Sequence, residues 1–164
     1  MGFAGFAARM SRAGAVVGAL ALTAMILLIT VQVISRRVMA APLVVADELS
    51  GYLLVITTFS ALGYAQMRGD HIQVTLLTDL LSERTRAWLR VAWCVVGLLF
   101  IALLAWRTCD LALDSFRTGS FSVSATNFVL WPFQAFIPLG FGVLFLQMLA
   151  ELAGALARAG RGGA

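Results

Sequence analysis

The sequence predicts an all-α integral membrane protein: four transmembrane helices, with a short amphipathic connector helix between the second and third. Three observations carry that expectation. Of 164 residues, 61% are hydrophobic and 12% charged, whereas soluble domains run at roughly 45–50% apolar with glycine included. The apolar residues are gathered into four long uncharged runs. Arginines stand at the ends of those runs rather than within them. A chain of this length is read as one folding unit, residues 1–164.

The first run, Ala13 to Ile34, holds 22 residues, with Arg9 and Arg12 before it and Arg36 and Arg37 after it. A signal peptide would have an apolar stretch of about 7–15 residues and a small-residue cleavage site. This run is longer and ends on arginines, so it is read as a retained span over residues 13–34. The second run, Leu49 to Met67, has 19 residues, close to the ~20 that cross a hydrocarbon core. Asp47 and Glu48 open it and Arg68 closes it, giving a span over 49–67. The third is shorter, 16 residues from Val91 to Trp106 between Arg90 and Arg107. Both arginines can snorkel and Trp88, Trp93 and Trp106 can mark interfaces, so the span is set at 89–108. The fourth covers 128–150, between Asn127 and Glu151. Pro132 lies near enough to its start to be tolerated, while Pro138 is expected to kink it.

Of the connectors, Arg68 to Ala87 is the most informative. Ile72, Leu76, Leu77, Leu80 and Leu81 share one helical face, and Gln73, Asp79, Ser82 and Glu83 fall elsewhere. Residues 71–83 thus read either as an amphipathic helix on the membrane surface or as a turn and helix packed on the bundle. Residues 158–164 read as a disordered Gly/Ala/Arg tail.

With four spans, both termini share one side. Arg9, Arg12, Arg68, Arg84, Arg86, Arg90, Arg158 and Arg161 lie on that side, against Arg36, Arg37, Arg107 and Arg117 on the other. The excess places both termini in the cytoplasm. The formal net charge of +4 is therefore read as topology and head-group contact. No basic stripe with interleaved aromatics points to nucleic acid. Cys94 and Cys109 have no metal-ligand spacing, and ~22 Å of helix between them argues against a disulfide.

Chemistry is sparse. His71 is the only histidine and lies in a connector. Its readings are a turn role, a subunit contact or a lipid contact. No catalytic, metal or cofactor site is found, and a haem between helices needs axial histidines within the spans. None of the four uncharged runs holds an acidic or basic side chain of the kind an autonomous ion-coupled transporter uses. Asp47 and Glu48 come nearest, and the dipole of the second helix is reason enough for them. Thr57 and Thr58 are read as bonding their own helix or a neighbour. Gly14 and Gly18 form a small-xxx-small pair, suited to close helix approach within the chain or with another subunit.

The stretch Asp47–Ala87 resembles the small membrane subunit, DctQ type, of tripartite ATP-independent periplasmic (TRAP) transporters. The acidic pair Asp47 and Glu48, the aromatic Tyr52, and Phe59, Leu62 and Gly63 near the helix end carry the likeness. So do Arg68, Gly69, Asp70, His71, Ile72 and Val74 after it. The fourth helix adds Trp131 and Pro132, then Ile137, Pro138, Leu139 and Gly140. The rest matches in layout, and only about a quarter of the chain matches specifically. Val44, Val45 and Ala46 lack the tryptophan many members carry before the acidic pair, and Thr75 stands where an aspartate often follows.

The resemblance implies a scaffold subunit without a solute site. A periplasmic solute-binding protein would deliver a solute, often a carboxylate-bearing one. A large multi-span subunit would move it inward on an ion gradient, in the bacterial inner membrane. The partners implied are that large subunit, the binding protein transiently, and lipids. The alternative from the residues alone is an autonomous four-helix channel or exporter, a homo-oligomer joined through Gly14 and Gly18.

Overall fold

In a membrane every backbone N–H and C=O must be satisfied within the protein, so long apolar runs fold as helices. The computed structural model describes residues 2–39, 44–68, 83–122 and 127–161. These hold α1 (Phe3–Met39), α2 (Val44–Arg68), α3 (Glu83–Thr118), the one-turn α4 (Trp131–Gln134) and α5 (Phe136–Arg161). Four segments are long and apolar enough to cross a bilayer: Phe3–Val38, Val45–Arg68, Trp88–Thr118 and Trp131–Ala157. The chain is a multi-pass membrane protein. The predicted amphipathic segment 71–83 lies outside the described residues except for Glu83, which opens α3.

The helices outrun the apolar runs that seed them. α3 has 36 residues, about 54 Å of helix, because nothing between Arg84 and Thr118 breaks it. It stops at Gly119, whose φ of 60° is left-handed. The Ser120 N–H then reaches back to the Ser115 carbonyl at 3.1 Å, the six-to-one bond of a Schellman stop. A tight return follows: Phe121 bridges Val129, and the Ser122 N–H donates to the Phe128 carbonyl at 2.8 Å.

The last span is interrupted near its start. Ala135 separates α4 from α5. Pro138 has no N–H to offer the Gln134 carbonyl, and its ring crowds that group, so the ladder lapses one turn before the proline. Pro132 sits at the start of α4, where a missing N–H costs nothing. At its far end α5 continues through Arg161, so the helix takes in residues expected to be a disordered tail.

α2 and α5 form the inner pair. α2 packs against α1 on one side and α5 on the other, and α5 packs in turn against α3. α1 touches α5 over a shorter stretch, and among the described residues α1 and α3 share no extended seam. The core between α3 and α5 is Leu98, Ile101, Leu144 and Met148, with Leu62, Phe141 and Phe145 against it. The outer helices turn large apolar side chains outward, among them Leu20, Leu27 and Val31 on α1 and Trp93, Leu99 and Phe100 on α3. Water would not tolerate so large an apolar surface, but lipid chains cover it without cost.

Candidate functional site

The seams are set by small residues. A Cβ at Gly14 would run into the Ser60 carbonyl of α2, and one at Gly18 would lie 3.0 Å from the Thr57 carbonyl. The glycine pair of α1 is therefore filled by the chain's own second helix. Gly63 is buried, and a Cβ there would lie 2.6 Å from Val143 Cγ1 of α5 and 3.0 Å from Ser11 Oγ of α1. Gly140 answers from α5, where a Cβ would collide with the Phe59 carbonyl of α2. On the outer side of α5, a Cβ at Gly97 would lie 2.5 Å from Met148 Cε. Such backbone proximity is how helices gain packing energy where lipid offers no hydrophobic drive.

Polar links cross the bundle near its two ends. Near the acidic start of α2, the buried Gln32 of α1 donates from Nε2 to Asp47 Oδ1 at 2.6 Å. Tyr52 OH donates to Glu48 Oε1 one turn back at 2.7 Å. The Tyr52 ring stacks on Phe133 of α4, with centroids 4.2 Å apart and planes 9° from parallel. Phe128 meets its edge at 6.0 Å. Trp131, the first residue of α4, sets its ring edge-to-face with Phe116 of α3 at 5.1 Å. Asp47 thus joins α2 to α1, Glu48 holds the Tyr52 hydroxyl on α2 itself, and the Tyr52 ring joins α2 to the proline-bearing turn α4.

At the opposite end Glu151 of α5 is the hub. Its Oε2 accepts from Gln66 Nε2 of α2 at 2.6 Å, and its Oε1 lies 3.5 Å from Arg90 Nε of α3. One carboxylate thus ties three helices. Ser11 of α1 adds a weaker hydroxyl contact to Gln147 Oε1 at 3.3 Å. Arg68 closes α2 with its guanidinium 5.8 Å from the Tyr64 ring centre.

Of the residues singled out in the sequence, Asp47, Glu48, Tyr52, Trp131 and Pro132 come together at one end of the bundle. Gly14, Gly18 and Gly63 line the seams. Arg68 lies at the other end of α2 over the Tyr64 ring, and Pro138 shapes the start of α5. Gly69 and His71 lie outside the described residues. The Glu151 hub was not anticipated, although Gln66 and Glu151 both sit at span ends on the same predicted side. Thr57 departs from its expected bond: its Oγ1, with Gln134 Oε1, is buried without a hydrogen-bond partner among the described residues. No group of three metal-capable side chains occurs among the described residues, and Cys94 and Cys109 are not joined in a disulfide.

Residues 25–158 match the family described as "Tripartite ATP-independent periplasmic transporters, DctQ component". The chain is also similar to the ectoine TRAP transporter small permease protein TeaB of Halomonas elongata. The two are 26% identical over 117 residues, which is 71% of this chain. The matched region spans only 60% of that relative's own length.

Proposed function

The chain belongs to the DctQ component family of tripartite ATP-independent periplasmic transporters, and from that premise we propose that it is a scaffold subunit. That family is one of transporter subunits, not of enzymes. In this reading the chain packs beside a large multi-span subunit in the bacterial inner membrane, with both termini in the cytoplasm. The large subunit moves the solute inward on an ion gradient. A periplasmic binding protein delivers that solute, of a carboxylate-bearing class, and this chain holds the moving machinery at a fixed place in the bilayer.

The observation that carries the reading is the family match over residues 25–158. The bundle's construction agrees with it. Gln32–Asp47, Gln66–Glu151 and Arg90–Glu151 tie its own helices together, and its outer helices present apolar surface. A homo-oligomer joined through Gly14 and Gly18 finds no support, since the carbonyls of Thr57 and Ser60 already fill that face.

The test is uptake in cells carrying the other two components. Deleting this chain should abolish uptake, and supplying it from a plasmid should restore it. Normal uptake without it would overturn the scaffold role.

A further inference from the structure

The two outer helices are apolar in different ways. Past Phe6, α1 carries no aromatic residue through Met39. α3 carries three tryptophans, and all three are exposed. Trp88 and Trp106 are 18 residues apart, which is five whole turns and about 27 Å along a helix. They therefore stand on one face, and Val95 and Leu99 lie between them within ~20° of the same line. The side chains on this stripe are 56% (Trp88), 42% (Val95), 69% (Leu99) and 62% (Trp106) exposed. Val91, Cys94, Leu98 and Ile101 are buried, and Leu98 and Ile101 pack against Leu144 and Met148 of α5.

The spacing of the tryptophans matches the ~30 Å thickness of a hydrocarbon core. Indole rings favour the level where head groups meet acyl chains. At one end the Arg107 guanidinium lies 5.5 Å from the Trp106 ring centre, the posture of a cation drawn toward phosphates over an interfacial ring. Arg86 and Arg90 flank Trp88 at the other end. The four residues of the stripe itself are bulky, and the small exposed Ala92 and Ala102 stand about 40° to either side of it rather than on it.

We propose that the Trp88–Val95–Leu99–Trp106 stripe of α3 faces phospholipid in the assembled transporter, with acyl chains on Val95 and Leu99 and head groups at the two tryptophans. The proposal rests on the scaffold reading for the identity of the assembly, and it deepens it: the large subunit seats on another face of the bundle. α3 is then the helix that fixes this subunit's depth in the bilayer.

A nitroxide at Leu99→Cys tests this, in a Cys109→Ser chain that keeps the buried Cys94. The label is read in proteoliposomes holding this chain co-expressed with the large subunit. The expected result is a label relaxed by oxygen and shielded from a water-soluble nickel chelate. A second label at Trp106→Cys should lose part of the oxygen effect and gain nickel accessibility, as a head-group position does. A Leu99 label immobilised and shielded from both reagents would overturn the proposal, because protein would then cover the stripe. If no large subunit accompanies the chain, the scaffold reading fails by that result alone. The Leu99 label still separates lipid from a second copy of this chain.

Discussion

The inner helices α2 and α5 and the outer helices α1 and α3 solve different problems with nearly the same apolar alphabet. Between α2 and α5 the backbones nearly touch: Gly63 meets Val143, and Gly140 meets the Phe59 carbonyl. The same two helices hold Asp47, Gln66 and Glu151, whose hydrogen bonds reach α1 and span the inner pair itself, with an ion pair from Glu151 to α3. The outer helices contribute few groups to those links, chiefly Ser11 and Gln32 from α1 and Arg90 from α3. They spend most of their length on outward Val, Leu, Ile and Trp. Stability should therefore be concentrated in the inner seam, while the outer surface should tolerate change until a partner or a lipid level is involved.

The largest effect is expected where a side chain has no room at all. Gly140→Val forces a branched side chain into the Phe59 carbonyl. It should cost roughly 3 kcal/mol, at the upper end of overpacking penalties, and greatly lower the yield of folded protein in mild detergent. Gly14→Val sets the same conflict at the edge of the inner pair, against Ser60. It should cost roughly 2 kcal/mol by the same reasoning, read as a fall in thermal midpoint in detergent. Equal tolerance of both changes would dissolve the contrast between seam and surface.

A smaller loss is expected at the polar hub. Glu151→Ala removes an acceptor from Gln66 and from Arg90 at once. Interhelical polar contacts in membranes average about 0.6 kcal/mol and reach about 1.7, so a loss of about 1 kcal/mol is expected. A double-mutant cycle of Glu151→Ala with Gln66→Ala, read by chemical unfolding, should show a coupling of that order. No coupling would reduce the hub to a surface contact. The smallest effect belongs outside: Leu20→Ala on α1 should change the stability of the isolated chain by about 0.5 kcal/mol or less.

Much of this was legible in the sequence. The four long uncharged apolar runs gave the helix count, because lipid leaves such a segment few alternatives to helix. The pair Gly14 and Gly18 signalled close approach, although spacing alone did not say that α2 would fill it. Helix ends were less legible: α3 outruns Trp106 by a further 12 residues, since a helix continues into polar sequence until something such as Gly119 stops it. The interruption at Ala135 follows from Pro138, yet its place one turn earlier depends on which carbonyl the ring crowds. Pairings between distant segments were least legible. That Gln66 meets Glu151, that Phe133 stacks on Tyr52 and that Gly97 receives Met148 all depend on how helices rotate against one another, which no local pattern encodes.

The most direct test of the scaffold claim is the composition of the complex. The tagged chain should be drawn from its native membrane in mild detergent and its companions identified and quantified by mass spectrometry. A large multi-span protein in roughly stoichiometric amount is the expected result. A chain that emerges alone, or only with copies of itself, would contradict the claim.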